Sequence, residues 1–258
     1  MFNMPTKAML FASLCVVLPR PALASVSTEL TISAAVSLKE SLQSIQQIYA
    51  LDAPLVRLTF NLGASGILEQ QIEQGAPVDI FISASSKEVD DLKAKRLVLP
   101  GTRSNLLANT LVLICPRKSC VISSFQDLAS SRVRHVAIAN PESVPAGFYA
   151  RQTLAFFRLT QIVEPKLVLA GDVRQALAYV ETGNADAGIV YSTEAKLSSN
   201  VKMVATAPPE SHTPIFYVVG VLKRSKRPAA AEEFVRFLFS APARAIFEAH
   251  GFLPAGGP

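Results

Sequence analysis

The sequence predicts an α/β fold, and three observations carry the prediction. Short apolar runs rich in Val, Ile, Leu and Ala recur along the chain. Helical patterns with one apolar face separate most of them. Gly, Pro, Ser and Asp mark the junctions between the two kinds of segment. Strands that read as continuous apolar runs fit mostly parallel, mixed sheets covered by helices on both faces. A length of 258 residues accommodates one large domain or two lobes of about 100 residues each.

The elements follow in order. An apolar strand pattern at 29–34 leads to a helix at 37–50, where Ser37-Leu-Lys-Glu40 reads as a Ser-x-x-Glu capping box. A strand at 55–61 runs into Gly63-Ala-Ser-Gly66, and a helix at 65–74 follows until Gly75-Ala-Pro77 breaks it. A buried strand at 78–83 and a helix at 87–94 come next, then strands at 109–115 and 135–139. Asn140-Pro-Glu-Ser-Val-Pro-Ala-Gly147 forces a tight turn before a helix at 148–157. A strand at 163–169 precedes a helix at 173–182, for which Asp172 is the N-cap. Strands at 187–190, 202–205 and 216–222 and helices at 230–238 and 242–249 complete the chain.

The first 24 residues read as a secretory signal. Lys7 supplies a basic start, 8–18 an apolar stretch too short to span a bilayer, and Ala22-Leu-Ala24 a small-x-small cleavage site. Leu14 before Cys15 is too large for a lipoprotein processing site. The expected location is therefore periplasmic. The formal charge is +5, and losing Lys7 and Arg20 leaves +3. No Lys/Arg run or aromatic-basic stripe predicts nucleic-acid binding. Cys115 and Cys120 either close a small loop disulfide or remain thiols flanking a turn. They lack the further His or Cys ligands of a zinc site.

Four loop-to-helix junctions hold the candidate chemistry. Ser37 and Ser65 each place a hydroxyl and free backbone N–H groups at a helix start, which suits an anion. Read singly, each is an ordinary helix cap. Ala146 lies in the third junction and Val173 in the fourth, after Asp172, where Arg174 takes a structural or rim role. Tyr191 ends a buried strand, and its hydroxyl is either satisfied in the core or turned toward a ligand. Ile67 leaves Gly-x-Ser-x-Gly incomplete, so a serine-hydrolase elbow is not predicted. His135, His212 and His250 do not pair by local motif with either serine, and Asp79, Asp172 and Asp186 read as caps or strand-end groups.

Taken together, Ala34-Ala-Val-Ser37, Ser65-Gly66, Gly75-Ala-Pro-Val-Asp-Ile-Phe-Ile-Ser-Ala84, Val144-Pro-Ala-Gly-Phe-Tyr-Ala150, Asp172-Val-Arg174 and Gly188-Ile-Val-Tyr191 resemble the periplasmic molybdate-binding family of ABC importers. The resemblance covers about residues 27–252. It implies a two-lobe type II binding fold with the ligand cleft between the lobes. Lobe I would comprise 25–108 and 217–258, and lobe II 109–216, with crossings near 106–112 and 211–219. It implies that Ser37 and Ser65 donate hydroxyl and backbone N–H bonds from one lobe. Ala146 and Val173 would donate backbone N–H bonds, and Tyr191 its hydroxyl, from the other. The implied ligand is molybdate or tungstate with no separate cofactor, and the implied partner is an ABC permease in the inner membrane, served by a monomer that is not an enzyme. The alternative is another small oxyanion, such as sulfate or thiosulfate.

Overall fold

The computed structural model describes Met1 and residues 28–255. The expected signal sequence and its cleavage site lie outside the described residues. The first sheet begins with β1 (Thr28–Ala35), β2 (Val56–Gly63), β3 (Ile80–Ser83) and β4 (Ser104–Ala108), interleaved with helices α1 (Lys39–Asp52), α2 (Ser65–Glu73) and α3 (Ser86–Ala94). The chain then builds a second sheet from β5 (Leu111–Pro116), β6 (Val136–Ala139), β7 (Leu167–Ala170), β8 (Ala187–Tyr191) and β9 (Val201–Thr206). Helices α4 (Pro145–Phe156), α5 (Thr160–Val163), α6 (Val173–Glu181) and α7 (Ser192–Lys196) lie among those strands. The chain returns through β10 (Phe216–Val221), α8 (Pro228–Leu238), α9 (Ala241–Ala249) and β11 (Leu253–Pro254).

The strand order is β11-β4-β10-β3-β1-β2 in the first sheet and β7-β6-β8-β5-β9 in the second. Parallel ladders join β2-β1-β3 and β7-β6-β8. The strands next to the passages between sheets, β4, β5 and β10, pair antiparallel. Both sheets are thus mixed, and parallel ladders do not predominate, because strands entering from the opposite sheet run against the βαβ units. Every residue of β3, β5, β6 and β8 is buried, as their Val, Ile and Ala content requires in sheets covered on both faces.

Local chemistry sets the helix ends. Asp172 accepts from Gln175 N–H at 2.9 Å to cap α6. Pro145 occupies the first position of α4, where its missing N–H costs nothing, so this helix begins three residues before the expected 148. Gly75 and Gly183, at φ +94° and +75°, stop α2 and α6 in the left-handed region that side chains disfavour.

Further sequence expectations are corrected. The strand expected at 163–169 covers only Leu167–Ala170, since Val163 ends α5 and Pro165 sits in a 3-10 turn over Glu164–Lys166. Strand β4, for which no strand was expected, overlaps the start of the expected crossing at 106–112 and is held by pairing to β10 and β11. The Ser37/Glu40 capping box does not form. A 3-10 turn over Val36–Leu38 moves the start of α1 to Lys39, and neither side chain caps it. Cys115 and Cys120 are disulfide-bonded.

Candidate functional site

Between the two sheets lies a small hollow of about 10 Å³. Ser37 and Ser65 line it from the first sheet's side, and Val144, Pro145, Val173 and Tyr191 from the second. Of the five residues singled out in the sequence, four therefore meet at one place. Ala146 is wholly buried one position behind Pro145, and its N–H is the first that α4 offers, because proline has none.

The helix starts converge for a topological reason. β1, β2 and β6 end at the same side of their parallel ladders, and the turns after them open the segment Val36–Leu38, α2 and α4. The N–H groups of Ser65, Ala146 and Val173 lie at first or second helical positions, which have no intrahelical acceptor. None has another acceptor among the described residues.

The side chains are prepared as donors. Ser65 Oγ accepts from Ala84 N–H at 3.1 Å, which leaves its own proton free. Ser37 Oγ lies 2.8 Å from the Tyr217 hydroxyl. The Tyr191 hydroxyl is buried with no hydrogen-bond partner among the described residues, and burial raises its pKa. It is a neutral O–H at the wall of the hollow. A buried hydroxyl without a partner costs about 1–3 kcal/mol, so its presence points to an acceptor that arrives with a ligand.

Two contacts tie the facing sides together at this place. Gly66 N–H donates to Ser143 C=O at 3.0 Å. Arg174, on α6, donates to both carboxylate oxygens of Glu40, on α1, the Nη1–Oε1 distance being 2.6 Å. Burial raises the Glu40 pKa, but hydrogen bonds from Arg174 and from its own backbone N–H, together with the charges of Arg174 and Lys39, hold it below the usual range. The guanidinium is thus consumed by a carboxylate of the opposite side, consistent with a rim role.

Glu194, wholly buried in α7, faces the same guanidinium at 3.5 Å without a hydrogen bond. Burial pushes its pKa up to about 7, with Glu40 and Asp172 adding to the rise and Arg174 opposing it. The folded protein therefore favours the protonated acid. That contribution to stability is full below about pH 4.5 and is lost as pH rises through about 7. Glu194→Gln, neutral at every pH, is expected to show a smaller drop in melting temperature between about pH 5 and pH 8 than the native chain. Equal drops would exclude Glu194 as the titrating group.

Sequence reasoning missed Tyr217, Asn109, Glu194 and Ser143. The first two lie beside the passages between sheets, and only the tertiary structure brings them to Ser37. None of the three histidines lines the hollow. Asp79 and Asp186 accept backbone N–H groups at strand ends, Asp79 from Thr31 and Asp186 from Arg134 and His135.

Two helix-covered mixed sheets, connected by two passages and enclosing donors from both sides, define a type II periplasmic binding protein. The chain belongs to the bacterial extracellular solute-binding protein family, whose pattern matches residues 30–253. It is 38% identical over 230 residues to the molybdate-binding protein ModA of Haemophilus influenzae, spanning 88% of this chain and 90% of that one. It is 37% identical over 229 residues to ModA of Escherichia coli, spanning 87% and 88%. The solved Azotobacter vinelandii periplasmic molybdate-binding protein superposes with a TM-score of 0.78 at 27% identity, covering 87% of this chain and 98% of that one.

Proposed function

We propose that this protein captures molybdate or tungstate in the periplasm and delivers it as a monomer to an ABC permease of the inner membrane. No separate cofactor takes part, and no chemical step is catalysed. The observation that carries this reading is the Tyr191 hydroxyl, without a partner among the described residues, at a hollow otherwise edged by helix-start amides and serine hydroxyls. Relatives named for molybdate binding support the choice of ligand.

The chemistry fits an oxyanion with no proton of its own. Its oxygens only accept, and the site offers Ser37, Ser65, Ala146, Val173 and Tyr191 as donors. Charge-assisted hydrogen bonds contribute about 1.5–3 kcal/mol each. Five of them sum to roughly 8–15 kcal/mol, against about 8 kcal/mol for micromolar affinity. Helix starts add roughly half a positive charge each at short range. Neutral donors can therefore hold a dianion, and Arg174 stays with Glu40. A cage sized for molybdate leaves the smaller sulfate with stretched bonds.

Calorimetric titration of ligand-free protein tests the proposal. Saturable binding of molybdate and tungstate at 1:1, with weak or no heat from sulfate, thiosulfate and phosphate, is expected. Failure to bind molybdate would overturn it, and tight sulfate binding would replace the ligand. Ser65→Ala should weaken molybdate binding about ten-fold while the far-ultraviolet spectrum stays native. An unchanged Kd would remove Ser65 from the site.

A further inference from the structure

We propose that Tyr217 is a positioning residue that fixes the direction of the Ser37 hydroxyl, holding it as a donor toward the ligand. The inference rests on the oxyanion reading above and adds a residue outside the donor set.

The argument is a count of protons along a buried chain. Asn109 Oδ1 lies 2.8 Å from Thr110 N–H and 3.1 Å from Ser192 Oγ, and both are donors to it. That contact fixes which end of the amide is oxygen. The Asn109 Nδ2 group must then face Thr193 Oγ1 at 3.0 Å and the Tyr217 hydroxyl at 3.4 Å, and an amide nitrogen only donates. The Tyr217 oxygen is therefore an acceptor from Asn109, and among the described residues Ser37 Oγ, at 2.8 Å, is the only acceptor for its proton. Ser37 Oγ accepts there, so its proton points elsewhere, and Ser37 lines the hollow whereas Tyr217 does not.

Asn109, Thr193, Tyr217 and Ser37 are all buried, so little water is at hand to reverse the sequence of bonds. The order begins at a backbone N–H, which cannot turn round. Asn109 follows β4 at the passage between sheets and Tyr217 lies on the returning strand β10. The two chain passages thus set the proton order at Ser37. A serine hydroxyl left free would rotate between donating to the anion and donating to a protein acceptor.

A double-mutant cycle tests this with molybdate titrations. Tyr217→Phe keeps the ring and removes only the hydroxyl. It is expected to raise Kd about five- to ten-fold in the native background and to have no further effect in Ser37→Ala. Asn109→Ala, which removes the same order from its far end, should show the same dependence on Ser37. A merely structural role would weaken binding equally in both backgrounds, and that result overturns the proposal, as does an unchanged Kd for Tyr217→Phe. Native protein that binds neither molybdate nor tungstate would instead overturn the oxyanion reading, and the positioning role with it.

Discussion

Gly147→Ala is expected to lower both stability and ligand affinity. A Cβ at this position would lie 2.0 Å from Ala139 C=O and 2.7 Å from its carbonyl carbon. Ala139 ends β6, which pairs with β7 on one side and β8 on the other. The obstacle is backbone within a sheet, and it cannot rotate away. The start of α4 must therefore retreat by about 1 Å to restore an ordinary contact, and overpacking of this kind costs roughly 3 kcal/mol. For a chain of this size that corresponds to a fall in melting temperature of about 6–12 °C. The Ala146 N–H moves with the helix, and a donor displaced by about 1 Å from ideal geometry no longer makes a hydrogen bond. Molybdate affinity should fall at least ten-fold beyond any effect of unfolding. Arg151→Ala, further along the same helix with a half-exposed side chain, should leave Kd unchanged. Native stability and affinity in Gly147→Ala would contradict the close approach of α4 to β6.

Gly147 also shows where reading a sequence stops. In Val144-Pro-Ala-Gly147 it looks like a turn glycine. It is helical, within α4, and is not among the positive-φ glycines. What demands a glycine is a carbonyl from another strand, which no local pattern reveals. The same limit explains Ser37. Its spacing to Glu40 satisfies the capping-box rule, but each side chain has a stronger tertiary partner: a buried phenol for Ser37, and a guanidinium from across the hollow for Glu40. A charged partner outcompetes a backbone amide, and only the tertiary structure supplies it.

Other features were legible because their causes are local. Val, Ile and Ala runs became buried strands, and Asp172 caps α6 through its own side chain. The strand expected at 163–169 began too early because an apolar Val163 resembles a strand residue, whereas Glu164-Pro165 opens a helical turn. The convergence of Ser37, Ser65, Val173 and Tyr191 was readable only through resemblance to a family, since their separation in the chain carries no geometric information.

Tyr191→Phe is expected to separate ligand affinity from fold stability more cleanly than any other substitution. The hydroxyl has no partner among the described residues, so removing it breaks none of their hydrogen bonds. Ligand-free protein should melt at the native temperature or slightly above, because a buried polar group without a partner is a cost that disappears with the oxygen. With ligand the sign reverses. An anion oxygen that was bonded to the phenol is left facing the apolar edge of a buried ring. Losing such a charge-assisted bond in a dry site costs about 2–4 kcal/mol, roughly thirty-fold to several hundred-fold in Kd. Ser37→Ala and Ser65→Ala lack this clean separation, since each serine oxygen also bonds a protein group, Tyr217 O–H and Ala84 N–H respectively. Melting curves with and without saturating molybdate check the prediction in one experiment. The native protein should gain a ligand-induced shift that Tyr191→Phe largely loses at the same concentration. A full shift in the variant would show that the phenol faces no ligand oxygen, and its burial without a partner would then be left without a functional cause.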